Sequence, residues 1–267
     1  MDLIYITNDI SAATIAQDAG VNRIMVDLEI LDKKDRQGHL NTVISNHSLK
    51  DIGCIRSILD TSQLLVRINP INKNTEEEIE EVIKQGADII MLPMFKSKQE
   101  VVHFLELVGG RVTTCLLLET PEAVLEIDNI LALKGIDEIH IGLNDLHLST
   151  NLTFMFELLS NGTVEQLSKK IIDADVKFGF GGVARLGNEN LDASLILSEH
   201  LRLNSNMVIL SRDFKEKGVD MIAEIRKIRK YLDTPKNNKA LMNNQHLAYK
   251  KINDIVNNIK AKSGKSR

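Results

Sequence analysis

The segment QGADIIMLP, residues 85–93, carries the reading of the fold. A glycine closes a helical stretch, a small residue and an aspartate follow, and a short aliphatic run begins at once. Glycine just past a helix end takes a left-handed conformation that other residues resist, so the segment is a helix-to-strand turn. The same device recurs in AGVNRIMVDLE at 19–29 and KGIDEIHIG at 134–142. The chain therefore repeats an αβ step.

Outward from these turns, further aliphatic runs fall at LIYIT (3–7), LLVRI (64–68), VTTCLLLE (112–119), FGFGGV (178–183) and MVILS (207–211). Helical patterns lie between them at 9–19, 47–60, 74–85, 97–108, 121–134, 163–175 and 190–202. Eight strands apolar on both faces, each followed by a helix, describe a parallel sheet covered by helices. That number within residues 1–232 is the size of a (β/α)8 TIM barrel, with a doubly wound open sheet as the other arrangement. After Tyr231, residues 233–267 read as a separate segment. DTPKNNKALMNNQH is a Pro/Asn-rich linker, and Ala248, Ile252, Ile255 and Ile259 form the apolar stripe of a basic amphipathic helix. The stripe has two uses, packing on its own barrel or on a second subunit. KAKSGKSR at the end reads as a disordered tail.

Composition narrows the function classes. A hydrophobic share of 43% with 26% charged residues is the balance of a globular protein. The start MDLIYITND has no basic and apolar leader, and no apolar run approaches the length of a membrane span, so a cytoplasmic protein without a membrane partner is expected. The net charge of −4 conceals an asymmetry: Lys236–Arg267 holds eight Lys/Arg and one acid, leaving the preceding body at −11. An acidic body without tryptophan is unsuited to nucleic acid. Cys54 and Cys115 lie in apolar segments without CxxC spacing and read as buried thiols.

In a barrel of this type the active site lies at the C-terminal ends of the strands. Those ends carry Asp27 and Glu29, Arg67 and Asn69, Pro93, Glu119, Gly142 followed by Asn144 and Asp145, and Ser211 with Arg212. Glu119 closes the run LLLE immediately before Pro121, which suits the first turn of a helix. Glu119 and Asp145 are one strand–helix–strand unit apart, on neighbouring strands about 4.8 Å from one another. Their carboxylates can converge on one ion, and such a pair with positions left for oxygen ligands suits Mg2+ or Mn2+ better than Zn2+. Singly, each has a structural use: Glu119 as partner to a helix N-terminus or to Arg67, Asp145 as a helix cap.

LLLETPEAVLEIDNI followed by GIDEIHIGLNDLHLS, with VRIN and GADIIMLPMF upstream and VDLE before those, resembles the HpcH/HpaI aldolase and citrate lyase β-subunit family. The resemblance runs from about residue 20 to 150 and more loosely to about 215. It implies a barrel of the pyruvate/phosphoenolpyruvate type with an extra C-terminal helix, a divalent metal, and cleavage or formation of a C–C bond beside a carbonyl. It further implies that Glu119 and Asp145 bind the metal, that Arg67 steadies the carbonyl or enolate oxygen, and that Gly142 through Asn144 receive the substrate carboxylate. Pro93 and Met94 match the rim of strand four. A homo-oligomer through exchange of the C-terminal helix is implied as well.

The chemistry agrees, because cleavage leaves an enolate whose charge a metal and a fixed guanidinium can take. No lysine sits in an apolar strand end to form a Schiff base. His39, in the loop after strand two, is the candidate base, with His47 and His147 as alternatives and Asp27 or Glu29 as carboxylates that could order a catalytic water. His140, inside strand six, reads as a core histidine with its hydrogen bonds satisfied. After strand two this chain has DLEILDKKDRQ, sharing DLE and Lys33 or Lys34 with Arg36 with the citrate lyase branch but lacking its second acid. The substrate is thus a free 2-oxo acid or, alternatively, an acyl-CoA thioester; a third reading is a barrel without turnover that binds a carboxylate ligand or a partner protein. GFGGVARLG at 179–187 reads as close backbone packing, with a phosphate or CoA-diphosphate site involving Arg185 or Arg212 as the alternative.

Overall fold

The glycine turns do what their spacing predicts. In the computed structural model, which describes residues 1–31, 47–187 and 191–263, Gly20, Gly86 and Gly135 have φ of 89°, 92° and 93°. Each ends a helix and turns the chain into the barrel wall. Eight parallel strands close in sequence order: β1 (Asp2–Ile6), β2 (Arg23–Asp27), β3 (Gln63–Arg67), β4 (Ile89–Leu92), β5 (Thr113–Leu118), β6 (Glu138–Ile141), β7 (Lys177–Val183) and β8 (Met207–Leu210). Leu3 of β1 pairs with Val208 of β8 to complete the ring.

The surrounding helices are α1 (Ile10–Asp18), α2 (Leu49–Arg56), α3 (Thr75–Lys84), α4 (Lys98–Val108), α5 (Pro121–Leu125), α6 (Ile127–Leu131), α7 (Leu143–Ser149), α8 (Glu157–Ser160), α9 (Thr163–Asp173), α10 (Ala193–Arg202), α11 (Met221–Asp233) and α12 (Asn238–Ser263). The stretch expected as one helix over 121–134 is two, because Glu126 leaves the helical region at φ −90°, ψ 2°. Its carboxylate accepts the N–H of Lys98 at 3.3 Å, which ties the break to the preceding helix. Among the described residues no helix is long and apolar enough to cross a membrane.

Two apolar cores result. Ile4, Met25, Leu65, Ile89, Met91, Cys115, Leu117 and Met207 fill the barrel interior, and a larger cluster lies between the strands and the helices. At the N-terminal end of the barrel, Arg23 bonds both oxygens of Glu138 at 2.5 and 2.8 Å and reaches Asp2 at 2.8 Å. Arg23 and Glu138 are buried, so a bidentate ion pair forms the base of the barrel.

Helix α12 begins earlier than the Pro/Asn-rich text suggests. Asn237 caps it by accepting the N–H of Ala240 at 2.9 Å, so the asparagines read as a linker form its first turns. Its buried stripe is Ala248, Ile252 and Val256, with Ile255 half-buried and Ile259 exposed. It packs on α10 and α8 of its own chain. Tyr249 on α12 donates to Glu199 at 3.4 Å, and Arg202 joins Glu199 at 2.9 Å to Glu165 at 3.1 Å. Of the two cysteines Cys115 is buried as expected, but Cys54 is exposed, since Ile52 and Ile55 take the inward positions of α2.

Candidate active site

A cavity of about 690 Å3 opens at the C-terminal ends of the strands. Glu119 enters it from the residue after β5. Thr120 caps α5 by accepting the N–H of Ala123, and Pro121 occupies the first turn, so the chain leaves the strand abruptly and leaves Glu119 facing the cavity. Glu119 is buried, with one fixed donor: Met94 N–H reaches Oε1 at 3.2 Å. Met94 adopts φ 54°, an uncommon conformation for a side-chain-bearing residue that occurs here beside a cavity carboxylate. Burial raises the Glu119 carboxyl well above its ordinary range, and the charges of Asp145 and Glu29 add to this against the opposing pull of Arg67 and the Met94 N–H.

Asp145 sits in the first turn of α7, half-buried and lining the same cavity. Between the two acids, Gly142 donates its N–H to Leu118 at 3.0 Å. A Cβ on Gly142 would lie 2.8 Å from Glu119 Cβ and 2.7 Å from its Oε2. Only glycine lets the strand pass so close to the carboxylate. Across the barrel Arg67 is clamped: Nε and Nη2 bond the two oxygens of Asp27 at 2.8 Å each, and Nη1 lies 3.1 Å from Glu29. Asp27 and Glu29 are buried, and their charges raise the Arg67 pKa despite burial. Arg67 is a fixed cation aimed by two acids.

A family model for HpcH/HpaI aldolase/citrate lyase matches residues 7–179, more than half of the chain. The chain belongs to this family. Membership places it among the aldolases and lyases. Among solved structures, an HpcH/HpaI aldolase from Desulfitobacterium hafniense DCB-2 is 16% identical with a TM-score of 0.60, covering 89% of this chain and 95% of that one. An HpcH/HpaI aldolase/citrate lyase family protein from Burkholderia cenocepacia J2315 is 14% identical with a TM-score of 0.63, covering 87% and 93%. Citrate synthase SbnG is 15% identical with a TM-score of 0.60, covering 87% and 94%. At such identities the likeness speaks for the barrel. No curated protein is similar enough in sequence to match.

On this HpcH/HpaI barrel, Asp27, Arg67, Glu119, Gly142, Asn144, Asp145 and Arg212 all line one cavity. Glu29 stands behind Arg67, and Pro93 adjoins Met94 without lining the cavity. Arg185 does not line it either: its backbone N–H and Nε reach Asp213 at 2.7 and 3.4 Å, and Nη2 pairs with Glu216. In the glycine loop, a Cβ at Gly179 would lie 2.3 Å from Met207 Cγ, which is the close packing expected there. His39, Lys33, Lys34 and Arg36 lie outside the described residues.

The histidines divide clearly. His147 is buried with Nδ1 3.2 Å from the Leu143 carbonyl of its own helix, away from the cavity lining. His47 Nδ1 accepts the Asp27 N–H at 2.9 Å, so its neutral ring carries the proton on Nε2. His140 departs from the expectation of a satisfied core residue. Nε2 bonds the Gly181 carbonyl at 3.0 Å, but Nδ1 has no partner among the described residues, and the ring lines the cavity. Burial, the largest influence, lowers its pKa to about 4.

Sequence reasoning passed over Lys215. It ends the 3-10 turn Arg212–Lys215 after β8 and lines the cavity. A search confined to strand ends stops at Ser211 and Arg212; the available signal was the three-residue spacing that a single turn places on one side.

The donor set also bears on a metal. No group of three or more His, Cys, Asp or Glu side chains that could hold an ion occurs among the described residues. Two oxygen donors, Glu119 and Asp145, beside open cavity fit Mg2+ or Mn2+, which keep water and substrate ligands.

Proposed function

We propose that this protein is a divalent-metal-dependent C–C lyase or aldolase that cleaves or builds a 2-oxo acid through a pyruvate-type enolate. One observation carries the reading: the carboxylates of Glu119 and Asp145 share a cavity with Arg67, which two buried acids hold in place. Mg2+ or Mn2+ held by Glu119 and Asp145 would supply the Lewis acid for the carbonyl oxygen.

For a 4-hydroxy-2-oxo acid, cleavage removes the hydroxyl proton and the oxygen forms a carbonyl. The C–C bond breaks, its electron pair passes into the enolate, and the enolate carbon then takes a proton. Arg67 stabilises negative charge on the enolate oxygen without having to reorient. Gly142 and the backbone through Asn144 offer the approach for the substrate carboxylate. Asp27, which lines the cavity and pairs with Arg67, would orient the water that carries the hydroxyl proton. Of the two arginines of the CoA-thioester reading, Arg185 is engaged by Asp213 and Glu216, whereas Arg212 lines the cavity.

Deuterium exchange into the methyl group of pyruvate, followed by NMR with and without Mg2+, tests this. Metal-dependent exchange in the wild type that is lost in Glu119→Gln is expected. Metal binding without exchange would overturn the enolate reading and favour a thioester substrate or a binding role.

A further inference from the structure

The barrel wall is irregular where β7 borders the site. Gly179 pairs with Met207 of β8 and Gly182 with Ile209, so three steps on β7 answer two on β8. The extra residue makes a β-bulge, a device that re-aims the chain and is frequent beside active sites. Within it Gly181 has φ 49° and lines the cavity together with Gly182. The Gly181 carbonyl is met by a side chain, His140 Nε2 at 3.0 Å. Because a carbonyl only accepts, Nε2 carries the proton and His140 is the donor. Gly179 faces His140 across β6 and β7 and leaves its ring room, since a Cβ there would lie 3.0 Å from Nδ1.

The bulge bears on the carboxylates through α7. A Cβ on Gly181 would lie 2.6 Å from Leu143 Cδ1, so the buried Leu143 side chain rests directly on the bulge. Leu143 is the first residue of α7, and Asp145 follows in the same turn. That turn starts at Gly142, which has no side chain to cap it. We propose that His140 is a positioning residue: by holding the Gly181 carbonyl it fixes the bulge, and through Leu143 it fixes the turn that presents Asp145 to the metal.

This inference rests on the metal-dependent reading and adds a residue that acts through others. Burial keeps the ring uncharged at neutral pH, so His140 contributes a hydrogen-bond donor rather than a charge. Without that donor, cavity water can satisfy the Gly181 carbonyl but cannot hold it in place. What is lost is the position of the turn.

The test reads metal binding and local order. His140→Phe keeps a ring without the donor, and His140→Gln sets an amide N–H about where Nε2 lies. Mn2+ titration followed by electron paramagnetic resonance should show binding about tenfold weaker in His140→Phe than in the wild type, with most of it restored in His140→Gln. Hydrogen exchange read by mass spectrometry should be faster in His140→Phe in peptides 178–184 and 142–149, unchanged in peptide 63–69 of the opposite wall, and normal throughout in His140→Gln. Unchanged Mn2+ affinity in His140→Phe, faster exchange at 178–184 alone, or faster exchange throughout the barrel overturns the proposal. Should wild type bind no Mn2+, the metal reading falls separately and the hydrogen exchange decides the positioning. Should His140→Phe not fold, Leu143→Ala cuts the same link with His140 in place: it should weaken Mn2+ binding and loosen 142–149, and wild-type behaviour in both sinks the idea.

Discussion

Gly142 shows how tightly the site is drawn. Its missing side chain leaves room for Glu119, and an alanine there would push directly on the carboxylate's Cβ and Oε2. Since displacement of about 1 Å can cost about 100-fold in rate, Gly142→Ala should lose enolate exchange by that order while circular dichroism stays that of the wild type. An equally active variant would show that Glu119 does not need its observed position. His140 gives a pH signature. Its folded pKa of about 4 lies below the ordinary histidine value of 6.5, so the unfolded chain binds the extra proton first. Stability is therefore full above about pH 6.5 and lost as pH falls towards 4, by about 3 kcal/mol for this group. His200 has a lowered pKa too and adds in the same direction. Denaturant titrations at pH 7 and pH 4 should show a smaller acid loss in His140→Gln than in the wild type. Arg67 and Glu119 were legible as cavity-lining residues because one ends a strand and the other directly follows one, and Asp145 because it lies in the first helical turn after β6. Lys215 was not, since a short 3-10 turn carries it back to the cavity and no strand or helix period marks such a turn.

At the level of elements, the αβ turns were the readable part, because a glycine with positive φ leaves a local mark that does not depend on distant contacts. Helix breaks and starts were less readable. The interruption at Glu126 involves a hydrogen bond to Lys98 on another helix, and the asparagines opening α12 are poor helix formers held by a cap and by packing on α10. Tertiary contact decides both. The apolar stripe of α12 contributes to barrel stability through its inward residues: Ile252→Ala should cost about 2–5 kcal/mol, whereas Ile259→Ala, at an exposed position, should stay within about 0.5 kcal/mol. Chemical denaturation of the two variants checks this; equal effects would mean that α12 does not pack through Ile252.

For the whole molecule, the ring of strands has one open end. Arg23, Glu138 and the apolar layer above them fill the other, so among the described residues the cavity opens to solvent past the loops at the strand ends. Glu119 is nearly inaccessible there, while Lys215 is exposed at the rim. For cleavage along the proposed route, reactants and products share a single doorway and must queue. The aldehyde, nearer the exit, departs first; the 2-oxo acid, held deepest, departs last. That order has a kinetic mark: the 2-oxo acid should inhibit competitively against the substrate and the aldehyde noncompetitively, and the reverse pattern would mean that the deeper fragment escapes past the outer one.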